Sequence, residues 1–304
     1  MSKEKPTNLA ASIRQRLLNL ARQRKDEFQL VLIQYGVERL LYRLSRSPHA
    51  DQFTLKGAML FQLWTGQPHR STLDLDLLGK GASDVRRFTD IFCETCSIVV
   101  ADDGLEFLPA SVRGEEIREE QRYNGIRIQA TAMLGKAKIP IQVDIGFGDA
   151  VTPSPKTIQY PSMLGLPAPK LKAYPKETVV AEKYEAMVSL GIANSRMKDF
   201  YDLWTLARNY EFDGALLVKA IRSTFERRDT TIPNDLPIAL TDEFAQDRGK
   251  QTQWRAFVGK GKLLVAAPPL SDVIATLRGF LWPVTEALKL PGPFAKKWQR
   301  GTWL

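Results

Sequence analysis

The chain has 304 residues, 44% of them hydrophobic and 25% charged, the proportions of a globular protein rather than a disordered one. No apolar run reaches the roughly 18 residues a membrane span requires, and "MSKEKPTNLAASIRQR" has no signal-peptide core, so a cytoplasmic protein with no membrane partner is expected. A net charge of +9 favours acidic partners such as nucleic acid, although a generally basic soluble protein has the same balance.

Residues 8–48 place basic residues between apolar ones at helical spacing and predict two helices ahead of the core. "FTLKGAMLFQLW" predicts a short strand, Phe53 to Lys56, that turns through Gly57 into a helix ending at Gly66 and Pro68. "LDLDLLG" alternates with period two, with Leu73, Leu75 and Leu77 on one face and Asp74 and Asp76 on the other. A helix capped by Ser83 follows and holds Cys93 and Cys96; with only His49 and His69 besides, a zinc site lacks its second ligand pair. Two extended runs about Asn124-Gly125 predict a hairpin, and "KIPIQVDIGFGD" predicts a strand with Asp144 on its polar face.

From Val151 to Pro169 the composition turns to Pro, Ser and Thr, as in a surface linker. Helices are predicted beyond it at 176–191, 196–210, 213–228, about 241–258 and 270–288. The basic, aromatic tail "PFAKKWQRGTWL" reads as a surface helix end, or as a contact to RNA by charge and stacking. The expected fold class is α+β: residues 1–50 as N-terminal helices, 51–150 as a mixed α/β core, 151–175 as linker and 176–304 as a helical domain.

Asp74 and Asp76, two residues apart on one strand face, stand roughly 6–7 Å apart at the backbone. A divalent cation relieves the repulsion between them, and Mg²⁺ is commonly held by one or two carboxylates plus substrate phosphates. A solvated strand face accounts for Asp-x-Asp equally well. Asp144 on a second strand adds a third carboxylate to one sheet surface, as a metal-assisted phosphoryl or nucleotidyl transfer site requires. Gly57, between strand and helix, allows backbone to approach a phosphate closely, which tight turns also favour for their own geometry. Lys183 lies on a helix at the edge of an apolar stripe with Val179, Val180 and Met187, a place that also suits an ordinary snorkelling lysine. Phe200, Leu203, Trp204 and Ala207 form a core-facing stripe flanked by Asp199 and Asp202, either of which can cap the helix or pair with Lys198 or Arg196.

"LKGAMLFQLWTGQPHRSTLDLDLLG" resembles the first motif of the AbiEii/AbiGii toxin family of nucleotidyltransferase-like proteins: a Lys-Gly-Gly or Lys-Gly-Ala turn, then Arg-x-Thr-x-Asp-hydrophobic-Asp. "VVAEKYEAMVSLGIANSRMKDFYDLWTL" is similar to that family's Glu-Lys followed by Arg-x-Lys-Asp-x-Tyr-Asp-Leu, so the likeness spans roughly residues 50–210. Gly57-Ala58 stands where many nucleotidyltransferases have Gly-Ser, which removes one hydroxyl donor to the triphosphate. The resemblance implies that Asp74 and Asp76 bind Mg²⁺ and nucleoside triphosphate. Asp144 would be the third carboxylate, completing the metal site or taking the proton from the attacking hydroxyl. It further implies nucleotide contacts from Lys56, Gly57, Ala58, Arg70, Lys183 and Arg196, with Asp199 orienting Lys183. By the same analogy Thr72 is a regulatory site, a target of inactivating phosphorylation.

The expected activity is therefore Mg²⁺-dependent transfer of a nucleoside monophosphate from an NTP to an RNA acceptor, in relatives a tRNA 3′ end, by a toxin with a cognate antitoxin. Transfer to a protein or small-molecule hydroxyl, and a non-catalytic nucleotide- or RNA-binding module, are the alternatives.

Overall fold

The computed structural model describes residues 8–67, 69–70, 72–119, 123–260 and 262–304. The chain divides into two compact units, Met1–Gly148 with Thr157–Ala173, and Asp149–Lys156 with Tyr174–Leu304.

The first unit opens with two helices, α1 (Leu9–Arg24) and α2 (Phe28–Arg46), which belong to this unit rather than preceding it. Strand β1 (Phe53–Lys56) leads into α3 (Met59–Thr65), β2 (Asp74–Gly79) and α4 (Val85–Ser97). Then come β3 (Glu106–Phe107), β4 (Arg113–Glu119), β5 (Tyr123–Leu134) and β6 (Ala137–Phe147), and finally β7 (Lys156–Gln159) and β8 (Lys170–Ala173). Among the described residues these strands form one mixed sheet in the order β3-β5-β6-β2-β1-β8-β7, with β4 also paired to β5. Strand β2 runs parallel to β6 and antiparallel to β1. Leu75, Leu77, Ile126, Ile128, Ile139, Ile141, Val143 and Ile145 are buried on one face. The period-two pattern predicts this, because each strand turns every second side chain to the same side. Helix α2 packs on β6, and α4 lies against β4 and β5. Buried Asp103 fastens α2 by accepting from Arg39 Nε at 2.9 Å and Arg43 Nη1 at 2.7 Å.

Three local expectations are corrected here. Asn124 and Gly125 do not form the turn: Gly125 pairs with Ile117 and Asn124 with Arg118, so both lie in β5 and the connection falls outside the described residues. A Cβ on Gly125 would stand 3.1 Å from Ile145 O, so glycine is kept there by close strand packing, not by a left-handed turn. Asp84, not Ser83, caps α4 by accepting from Arg87 N, since a carboxylate there meets both the free N–H groups and the positive helix end. The 151–175 stretch contributes β7 and β8 to the sheet instead of being linker throughout.

The second unit is mainly helical: α5 (Lys176–Leu190), α6 (Met197–Asn209), β9 (Phe212–Asp213), α7 (Gly214–Arg227), α8 (Asp242–Gln246), α9 (Arg248–Lys260) and α10 (Leu270–Leu288). The single helix expected at 241–258 is two, because extended Asp247 interrupts it and its carboxylate accepts from Lys250 N to start α9. The tail is not a helix end: most of it is exposed, but its Trp298 is buried. It forms β10 (Lys297–Gln299) and β11 (Thr302–Trp303), which pair with each other, and β10 pairs on its other side with β9. Trp298 is buried, donates from Nε1 to Ala207 O and packs 4.9 Å from the Phe280 ring centre.

Trp298→Ala is therefore expected to destabilise the second unit by about 3–5 kcal/mol through cavity formation. Urea unfolding followed by circular dichroism measures this, and an unchanged midpoint would show that Trp298 does not anchor the tail to the helical core.

Candidate active site

The polar face of the first unit's sheet gathers the expected carboxylates. Asp74 and Asp76 alternate with fully buried Leu75 and Leu77, so the apolar side chains fix which way the acids point. The register places Asp76 beside Lys56 on one neighbouring strand and beside Asp144 on the other. Asp144 in turn lies beside Arg127. One row across four strands thus reads Lys56, Asp76, Asp144, Arg127, two carboxylates between two cations. The adjacent row carries Asp74, Gln142 and Gln129.

Gly57 meets this row at its edge. It turns the chain from β1 to α3 with φ of +75°, a backbone state costly to residues with a Cβ. A Cβ there would lie 1.9 Å from Asp76 Oδ2, so the carboxylate fills the space glycine leaves. Ala58 and Met59, on the same turn, line a narrow pocket with Arg70, Thr72 and Asp74. On the other side of Asp74 an open groove of about 440 Å³ passes Gln142, Gln129, Arg113 and Lys138.

Asp144 is held by a residue that the sequence reading did not single out. Arg127 donates from Nε to Oδ1 at 2.8 Å and from Nη2 to Oδ2 at 2.9 Å, a two-pronged pair at a partly exposed position. The bond to Asp144 raises the arginine's pKa against the opposing effect of burial, so its charge is permanent. The signal was the phase of "GIRIQ": Ile126 and Ile128 are buried, which leaves Arg127 on the acidic face. Among the described residues no group of three or more His, Cys, Asp or Glu side chains is arranged to hold a metal ion. Asp74 and Asp76 share one face of β2. That suits a hard cation which takes its remaining oxygens from phosphates and water.

Lys183, Arg196 and Asp199 come together in the second unit. Lys183 Nζ donates to Asp199 Oδ1 at 2.5 Å and stands 3.0 Å from Asp202 Oδ2. Arg196 Nε lies 2.6 Å from Asp199 Oδ2. Asp202 thus joins Asp199 in holding the lysine, and both carboxylates are buried. Burial pushes the Asp199 carboxyl up, but the charges of Lys183 and Arg196 outweigh it and hold the group below its ordinary value. Phe200, Leu203, Trp204 and Ala207 pack inward as expected. The two cysteines are unpaired on α4, and burial pushes the Cys96 thiol up to about 12, which keeps it an unreactive thiol.

A family model described as "Nucleotidyl transferase AbiEii toxin, Type IV TA system" matches residues 39–276. That match makes the protein a nucleotidyltransferase. More narrowly, the chain belongs to the AbiEii toxin family of type IV toxin–antitoxin systems. Two crystal structures from Helicobacter pylori are similar in shape. One, of a protein provisionally described as a nucleotidyltransferase, has 15% identity and a TM-score of 0.48, covering 84% of this chain and 94% of the other. The other, of JHP933, has 14% identity and a TM-score of 0.48, covering 85% and 93%. The family assignment rests on the sequence match. No curated protein matches.

Two outcomes follow from the geometry. Gly57→Ala should displace the Asp76 carboxylate and cost roughly 1–2 kcal/mol of stability from the left-handed backbone alone. Thermal melting with NTP-transfer activity as a second readout tests it, the expected result being a larger loss of activity than of stability. Asp199, with a depressed folded value, contributes stability present above about pH 4 and lost as pH falls through that folded value. Asp199→Asn should therefore lower stability at neutral pH by about 3–5 kcal/mol and flatten the acid limb of a melting-temperature profile.

Proposed function

We propose that this protein transfers a nucleoside monophosphate from an NTP to a hydroxyl of an RNA, a tRNA 3′ end being the acceptor class, and releases pyrophosphate. The observation that carries the reading is the Asp74–Asp76 pair on one strand face with the Asp76 carboxylate seated against Gly57. Asp74 and Asp76 would hold Mg²⁺, which when bound neutralises triphosphate charge during in-line displacement. Gly57 and Ala58 bring backbone close to the phosphates, Lys56 and Arg70 add positive charge, and Asp144 is the third carboxylate beside Asp76. The groove next to Asp74 has amide and basic side chains, Gln129, Gln142, Arg113 and Lys138, suited to base edges and phosphates of a nucleic acid acceptor.

In the second unit Lys183 and Arg196 are assigned to triphosphate recognition, with Asp199 and Asp202 fixing the lysine's ammonium group. Thr72, half-buried and two residues before Asp74, is the regulatory position: a phosphate there would set two or so negative charges beside the aspartate pair and oppose binding of triphosphate. Membership of a type IV family supports a cognate antitoxin as protein partner.

Purified protein incubated with labelled NTPs, Mg²⁺ and total RNA should label RNA, and Asp74→Ala should reduce labelling at least ~100-fold. Equal labelling by wild type and variant would refute the assignment. Label that survives ribonuclease but not protease would move the acceptor from RNA to protein.

A further inference from the structure

The groove that starts beside Asp74 is negative at that end and positive further along. A single row of side chains crosses four strands there: Asp74 on β2, Gln142 on β6, Gln129 on β5 and Arg113 on β4. Three strand spacings of about 4.8 Å put the Arg113 backbone roughly 14 Å from that of Asp74. Lys138 lies further along β6 than Gln142, and the rise per residue puts its backbone at a similar distance, also about 14 Å. Asp74 is the only carboxylate among the described residues that line the groove, and Arg113 and Lys138 are the only cations.

Neither cation is neutralised by a carboxylate among the described residues. Arg113 is exposed, yet its Nη1 donates to Ala110 O at 2.9 Å and to Val112 O at 2.7 Å. Two backbone carbonyls thus hold the guanidinium in place without cancelling its charge. Lys138 is exposed and forms no ion pair among the described residues. Arg39, Arg43, Arg127 and Arg228 differ, each facing a carboxylate. Between the two ends of the groove, Leu73 is 48% exposed and Pro140 is exposed, an apolar stretch against which an unstacked base packs. Cations, amides and apolar surface over this length match a single strand of nucleic acid, whose phosphates and bases recur along it.

We infer that Arg113 and Lys138 form a phosphate-binding end of the groove, which holds the backbone of a single-stranded RNA behind the terminal nucleotide that reaches Asp74. This rests on the nucleotidyl-transfer reading for placing the RNA's end at Asp74, but not for binding of the strand. A separation of roughly 14 Å assigns the two cations to phosphates upstream of the reacting nucleotide, so they act on RNA affinity.

The test measures binding without turnover. Fluorescence anisotropy of a labelled single-stranded RNA of about a dozen nucleotides is recorded with the full-length protein over a range of KCl concentrations. NTP and Mg²⁺ are left out, and each variant is checked by thermal melting. Loss of one phosphate contact should weaken binding roughly tenfold at low salt and lower the slope of log affinity against log salt by about 0.7. Arg113→Gln and Lys138→Gln should each show both changes, and Lys138→Arg, which keeps the charge, should show neither. Lys170→Gln removes an exposed charge from β8, outside the groove, and should leave the affinity within about twofold of wild type. An unchanged slope in either groove variant would overturn the inference, as would a wild type that binds no RNA. An equal loss in Lys170→Gln would also overturn it, by making binding a matter of net charge. RNA that is labelled by a protein whose groove variants bind like wild type refutes this surface alone. RNA that is bound as described but never labelled refutes the functional reading and leaves the surface standing.

Discussion

Carboxylates packed beside one another on a sheet repel, and the arrangement of this protein's first unit follows from how that repulsion is managed. Asp76 and Asp144 are brought together by the parallel pairing of β2 with β6, which is also what buries Leu75, Leu77, Val143 and Ile145 on the opposite face. The apolar core therefore enforces the charge proximity, and burial of those side chains, at roughly 1.5–3 kcal/mol each, offsets it. Lys56 comes from β1 and Arg127 from β5, the two strands that flank the acidic pair. Gly57 leaves the hollow that Asp76 occupies. Sheet order, register and one glycine together set the electrostatics of a single face.

Internal counter-ions recur through the chain and change how its basic composition is understood. Arg39 and Arg43, which the helical spacing of "VERLLYRL" would leave as polar residues among apolar ones, are buried and bonded to Asp103. Lys183 is held between Asp199 and Asp202, and Arg228 donates to Glu185 at 2.8 Å. Buried pairs of this kind add little net stability over apolar substitutes, yet losing one partner is severe, so they fix geometry more than they add to stability. A share of the positive charge counted in the sequence is thus neutralised inside the protein. What supports the proposed nucleic acid acceptor is accordingly the groove beside Asp74 rather than net charge.

Much of the fold was legible from local pattern. The alternation of "LDLDLLG" and "KIPIQVDIGF" located β2 and β6 and the faces of their aspartates, and Gly57 marked the turn between β1 and α3. What escaped was set by pairing over long distances. Asn124-Gly125 has the local chemistry of a turn, but strand pairing with Ile117 and Arg118 prevailed. The Pro- and Ser-rich stretch hid β7 and β8 because strands of four residues have little pattern of their own. Arg127 escaped because an arginine in an alternating strand is ordinary until its partner strand is known. Trp298 escaped because a tryptophan near basic residues reads the same whether it faces solvent or the Phe280 ring.

The way the chain is threaded bears on how the protein is made. Strand β1 pairs on one side with β2 and on the other with β8, through Thr54 with Lys172 and Leu55 with Ala173. During synthesis, then, one flank of β1 waits with its hydrogen-bonding groups unmatched while the intervening segments, including Asp149–Lys156 of the second unit, leave the ribosome. An expression fragment intended to isolate the first unit's sheet has to run to Ala173; one stopped at Gly148 would expose an open strand edge and tend to aggregate.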